Sequence, residues 1–143
     1  MKNLLTVLIV LLISTSSYAQ IQEIQIEDQY IVYKTAKEGE VEVSFTLRDT
    51  DPSEVVMDDL LKMLQYTNSV TQSVLKSRRS FVPLSYSYKF KKNKKGKASK
   101  NKHSVWITYE ATNSYGAATE GFQQIEFNAK LKETAGSVML RMN

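Results

Sequence analysis

Few side chains in this 143-residue chain have the chemistry of a catalytic or metal centre. There is one histidine, His103, and no cysteine. That leaves no Cys–His pair, no spare imidazole for a Ser–His pair and no structural zinc set. His103 ends a lysine-rich loop, where a solvated imidazole is the simplest expectation. Asp49 and Asp51 resemble a hard-cation pair, but calcium needs six to eight oxygens. Only Glu54 could add a third nearby carboxylate, and a turn followed by a helix cap accounts for both aspartates. Glu38, Glu40 and Glu42 alternate with an apolar row, so they read as the solvent side of a strand rather than as paired acid–base groups. The five glycines are not clustered, which excludes a glycine-rich phosphate loop. The expectation is a protein without catalytic residues, cofactor or metal.

Two surfaces have the composition of a binding site. The first is the segment KFKKNKKGKASKNK, with eight lysines from Lys89 to Lys102. Lys91, Lys92, Lys94, Lys95, Lys97, Lys100 and Lys102 are the candidate anion-binding residues. Lysines also blunt strand edges against pairing with other chains, so a solvated hairpin is the competing explanation. Eight like charges should repel one another and keep the free loop mobile and extended. The second surface is a polar strand face holding Trp106, Thr108 and Glu110, joined by Gln124 and Glu126 from the following strand. An indole among hydroxyls, amides and carboxylates suits ligand contact, unless another segment covers Trp106.

The elements that must position these groups follow from hydrophobic period. Asp51 to about Arg79 is the only long helical pattern. Pro52 suits the first helical position, Asp51 with Glu54 has capping-box spacing, and Val56, Leu60, Met63, Leu64, Val70 and Val74 fall along one face. Asp58 and Asp59 suit the positive end of the helix dipole; Lys76, Arg78 and Arg79 suit the negative end. Elsewhere apolar residues recur at every second position. Strands are expected over Ile21 to Lys34 (with a break near Glu27 and Asp28), Val41 to Leu47, Val82 to Phe90, Val105 to Ala111, Ile125 to Leu131 and Val138 to Met142. A turn region spans Asn113 to Gly121.

The element order is therefore β-β-α-β-β-β-β. Short connections after the helix predict an antiparallel meander, and one apolar row per strand predicts one buried face. The fold expected is α+β in two layers, an antiparallel sheet with one long amphipathic helix across one face. A closed barrel plugged by the helix is the alternative.

Residues 1–19 have the pattern of a signal peptide: Lys2, the apolar run Leu4 to Ile13, then small residues Ser17 and Ala19. A ten-residue run is too short to span a bilayer, which needs about 20. Residues 20–143 are then one exported α+β domain, periplasmic or extracellular, with no transmembrane span after cleavage. It has no disulfide to stabilise it, so packing must suffice. Charge along it is segregated. Gln20 to Leu60 holds eleven acids and three bases, whereas Leu61 to His103 holds twelve bases and no acid. The functional expectation is a non-enzymatic interaction domain that contacts anionic surfaces through the lysine hairpin. Its partner would be a protein or a polyanionic envelope component, with no specific nucleic acid. The alternative is a small-ligand carrier using the face around Trp106, and a hydrolase of unrecognised type is the third class.

Overall fold

The computed structural model describes residues 20–26, 28–35 and 39–141. The signal-peptide segment, Glu38 and Met142 therefore lie outside the described residues. One seven-stranded sheet runs in chain order: β1 (Gln20–Gln25), β2 (Tyr30–Thr35), β3 (Gly39–Leu47), β4 (Val82–Lys91), β5 (Lys102–Thr112), β6 (Ala118–Asn128) and β7 (Val138–Arg141). Among the described residues one α-helix, α1 (Met57–Ser73), connects β3 to β4 and packs on one face of the sheet. The two-layer α+β architecture is the one the alternation predicted. Three strands, not two, precede the helix, because the chain reverses between Gln25 and Tyr30 and pairs β1 with β2 antiparallel. Gln29 takes a positive φ of 59° in that reversal.

All strand pairs are antiparallel except β3 with β4. That pair is parallel because α1 carries the chain from one end of the sheet back to the other, the usual consequence of a helical crossover. As a result, the start of α1 and the β4–β5 hairpin lie at the same end of the molecule.

Helix α1 has 17 residues and is shorter than the pattern implied. Asp51 does cap, but it caps a separate 3-10 turn, Pro52–Glu54, by accepting from the Ser53 amide at 2.8 Å rather than from Glu54. The helix stops at Ser73 in a stretch of serine and valine, residues with weak helical preference. Lys76, Arg78 and Arg79 follow the helix instead of ending it, although the Arg78 guanidinium still donates to the Ser73 carbonyl at 3.4 Å. Val56 and Val74 are exposed rather than buried.

The core lies between α1 and the inward row of the sheet. Leu60, Met63 and Leu64 meet Ile31, Tyr33, Val43, Phe45, Tyr86, Tyr88, Val105, Ile107, Ile125 and Phe127, all buried. The helix also buries Thr67, Asn68, Thr71 and Gln72. The Thr67 and Thr71 hydroxyls donate to the carbonyls one turn back, and the Thr71 hydroxyl oxygen is also within hydrogen-bond reach of the Gln123 carboxamide. Tyr86 donates to Asn68 Oδ1 at 2.6 Å, and the Tyr33 hydroxyl hydrogen-bonds with Tyr86 and Gln72. Among the described residues no buried side-chain polar atom lacks a partner. That condition makes a polar interior tolerable, since an unsatisfied buried donor or acceptor costs about 1–3 kcal/mol.

Two strand boundaries depart from simple alternation. In β4 the register slips between Pro83 and Ser85, so Pro83 faces inward and Leu84 is left exposed in a bulge. Proline has no amide to give the ladder, and bulges are where it is tolerated. In β6 the strand ends at Asn128, whose carboxamide oxygen accepts from the amides of Lys130 and Lys132. That turn sets Leu131, expected in a strand, at φ 57°.

Candidate functional site

The β4–β5 hairpin is built, not loose. Lys91 and Lys102 are the last paired residues. Beyond them, the Asn93 amide donates to the Asn101 side chain at 2.9 Å, and the Asn93 side chain accepts from the Lys95 amide at 3.0 Å. Gly96 takes φ 67°, and a 3-10 turn, Ala98–Lys100, returns the chain. The expectation of an extended loop is thus corrected, because two asparagines supply the hydrogen bonds that fold it into successive turns. Lys91, Lys92, Lys94, Lys95, Lys97, Lys100 and Lys102 are all exposed.

The base of the hairpin is fastened to the segment before α1. Lys89 pairs with Asp49 at 2.6 Å, Lys92 pairs with Glu54, and the Phe90 amide donates to the Thr50 hydroxyl at 2.9 Å. The Lys89 ammonium, by hydrogen bond and then by charge, holds the Asp49 carboxyl below the usual carboxylate range. Among the described residues, no other hairpin lysine is ion-paired. Lys91 and Lys102 sit directly across from each other, a like-charge pairing that disfavours the hairpin.

Trp106, Thr108, Glu110, Gln124 and Glu126 share the face of the sheet opposite α1. The register sets Trp106 against Ser87 and Gln124, and Thr108 against Ser85. Trp106 is half-buried on this face. Arg48 lies over it: its guanidinium carbon is 4.8 Å from the indole centroid. Arg48 follows the last residue of β3, and the small side chain of Ser87 on the intervening strand leaves room for it to reach across. No local signal in the sequence marks Arg48 as the partner of an indole 58 positions later. Glu126 packs against the backbone of Gly136, where an added Cβ would come within 2.3 Å of its carboxylate.

This open face is electrically graded. Lys91 and Lys102 face each other near the hairpin, with Arg48 and Lys89 beside them. Glu110 and Glu120 face each other toward the other end, and Glu40 and Glu42 lie on the same side of β3 as Ser44 and Thr46. Trp106 stands midway on β5, four residues from both Lys102 and Glu110.

His103 is not solvated as the loop position suggested. It lies within β5, half-buried against Phe90 at a ring separation of 5.1 Å, with Nδ1 2.8 Å from the Tyr88 hydroxyl. Burial lowers its pKa, partly opposed by the Asp59 carboxylate. Asp49 and Asp51 turn to different partners, Lys89 and Ser53. Among the described residues no group of three histidine, aspartate or glutamate side chains is placed to hold a metal ion. A cleft of about 370 Å³ opens at the far end of β5, lined by Leu75, Lys76, Tyr109, Asn113 and Glu120; Trp106 is not part of it. Among the described residues no helix is long and apolar enough to cross a membrane. No family model, no curated protein and no solved structure matches this chain.

Proposed function

We propose that this protein is an exported, non-enzymatic interaction module that holds a polyanionic partner at its lysine-hairpin end. One observation carries the reading: the hairpin is folded by its own asparagine turns so that its lysines point outward, with Lys91 set directly against Lys102. A solvated edge needs only scattered lysines. Here like charges are brought together at a cost that a bound anion would remove, releasing counterions as it does so. Export rests on the pattern of residues 1–19. The carrier alternative is less well supported, since Trp106 lies on an open face beneath Arg48.

The test is salt-dependent retention on immobilised heparin. The Lys94→Gln, Lys95→Gln, Lys97→Gln, Lys100→Gln variant should elute at markedly lower salt than the parent while keeping the same denaturation midpoint. Each phosphate neutralised on duplex DNA contributes about −0.9 to the log–log salt slope, and other polyanions should follow the same trend. Elution of parent and variant at the same salt would leave the hairpin as a solvated edge. For export, the N-terminus of the secreted or periplasmic form should be Gln20.

A further inference from the structure

We infer that the open sheet face beside the hairpin binds the acidic sugar units of an extended polysaccharide, with Arg48 as the oxyanion-binding group and Trp106 as its platform. The inference rests on the polyanion reading above and names the partner class.

Arg48 is exposed, and among the described residues it forms no ion pair. Its guanidinium lies over the indole, with Cζ 4.8 Å from the ring centroid. A cation held by the ring face makes no hydrogen bond to it, so the guanidinium N–H donors remain available to a ligand. Those donors form a fork that matches a carboxylate or sulfate in bidentate fashion. The indole thereby limits the freedom of a long side chain that would otherwise lose entropy on binding.

The surroundings favour a polyhydroxylated chain. Thr46, Ser85, Ser87, Ser104, Thr108 and Gln124 occupy the neighbouring positions of the same face. Their hydroxyls and the Gln124 carboxamide offer polar atoms to ring hydroxyls, with Ser85 and Thr108 hydrogen-bonded to each other at 2.5 Å and Gln124 donating to Glu126 at 3.4 Å. Lys102 lies four residues from Trp106 on that face, roughly 13 Å along the strand. More than one cation on the face, Arg48 over Trp106 and Lys102 nearer the hairpin, suits the repeating charges of a polymer better than a single small ion. Of the acids nearby, Asp49 is tied to Lys89 and Glu126 packs against Gly136.

Two other polyanions fit less well. A lipid surface would call for apolar side chains beside Arg48 on the sheet face, but the exposed Val56 and Met57, though at the hairpin end, stand at the start of α1 in the opposite layer. Single-stranded nucleic acid is held by stacking bases on open aromatic faces, and here Arg48 occupies the indole.

Trp106 is the only tryptophan, so its fluorescence reports this site alone. Full-length exported protein is titrated with polygalacturonate, neutral dextran, oligothymidylate and phosphatidylglycerol vesicles. Polygalacturonate should shift the Trp106 emission and dextran should not. Arg48→Lys keeps the charge but removes the fork, and should weaken polygalacturonate binding about tenfold, the equivalent of one charge-assisted hydrogen bond. Trp106→Leu, which has no indole to report binding, should elute from immobilised polygalacturonate at lower salt than the parent. If Arg48→Lys binds polygalacturonate as the parent does while the lysine-to-glutamine variant fails, the site is overturned and the hairpin function stands. If the parent binds no polyanion, both readings fall. Tighter binding of oligothymidylate or vesicles would overturn the polysaccharide as partner. Self-association of the free protein in sedimentation, abolished by Glu110→Lys, would instead assign this graded face to a second copy of the chain.

Discussion

At the residue scale, two groups under the hairpin make folding sensitive to pH. His103 is held neutral by burial, so its folded pKa lies below the ordinary value of 6.5. The unfolded chain takes up that proton first as pH falls. The contribution to stability is therefore complete above about pH 7 and is lost as pH drops through 6.5 toward the folded value. The single histidine gives one imidazole resonance, and its NMR titration should show a midpoint below 6.5. A midpoint at or above that value would mean the imidazole does not pack against Phe90 and Tyr88. Tyr88 works in the opposite sense: burial, with Asp59 and Glu54 nearby, pushes its hydroxyl up to about 12 from 10.0. Its neutral form is preferred in the fold, so that stability is present below pH 10 and lost as pH rises toward 12. Deeper in the core, Tyr86→Phe would leave the Asn68 carboxamide oxygen without its donor. A loss of about 1–3 kcal/mol is expected from denaturant midpoints, and no loss would show that this hydrogen bond is not formed.

At the scale of elements, the helix and the hairpins depend on different forces. Leu64 is fully buried, so Leu64→Ala should cost about 2–5 kcal/mol. Val74→Ala should cost far less, because that side chain is 39% exposed beyond the last helical turn. Equal effects would mean that the helix continues past Ser73. Asp51→Ala removes the cap of a three-residue turn and should cost about 1 kcal/mol. In β6, Gly121 is the position over which the Tyr109 ring lies; an added Cβ would approach Tyr109 Cζ to 2.3 Å. Gly121→Ala should destabilise by about 1–3 kcal/mol through overpacking, and a smaller penalty in a Tyr109→Leu background would identify the ring as the cause.

For the whole molecule, the segregated charge of the chain becomes a graded face. The crossover through α1 brings the end of β3 to the hairpin end of β4, so Arg48 joins the lysines although 40 positions separate it from Tyr88, whose carbonyl its amide reaches at 2.8 Å. Like charges face each other at both ends of β5, which sets stability against anion binding. Lys91→Glu replaces a repulsive cross-strand pair by an attractive one. It should raise stability by about 0.2–1 kcal/mol and lower retention on heparin. A variant that gains stability and binds as before would separate the hairpin's charge from its proposed role.

How much of this was legible beforehand follows from the range of the forces involved. Period-two alternation in Val41 to Leu47 and Val105 to Ala111, and the spacing of Leu60, Met63 and Leu64, specify strands, a helix and which side of each is buried. Backbone geometry alone sets those periods, so the two-layer fold and the exposure of the lysines could be read from the chain. The alternation also placed Trp106, Thr108, Glu110, Gln124 and Glu126 on one face. The β4 bulge escaped it, because Val82, Leu84 and Tyr86 alternate faultlessly while the register turns Pro83 inward. The helix end escaped it as well, since Leu75, Lys76, Arg78 and Arg79 after Ser73 favour a helix and carry no glycine or proline stop signal. Contacts between strands depend on sheet order and register, which long-range pairing decides. That is why the hydroxyl and amide network of Tyr33, Asn68, Thr71, Tyr86 and Gln123, the fastening of Lys89 to Asp49 and the seating of Arg48 on Trp106 belong to the tertiary structure alone.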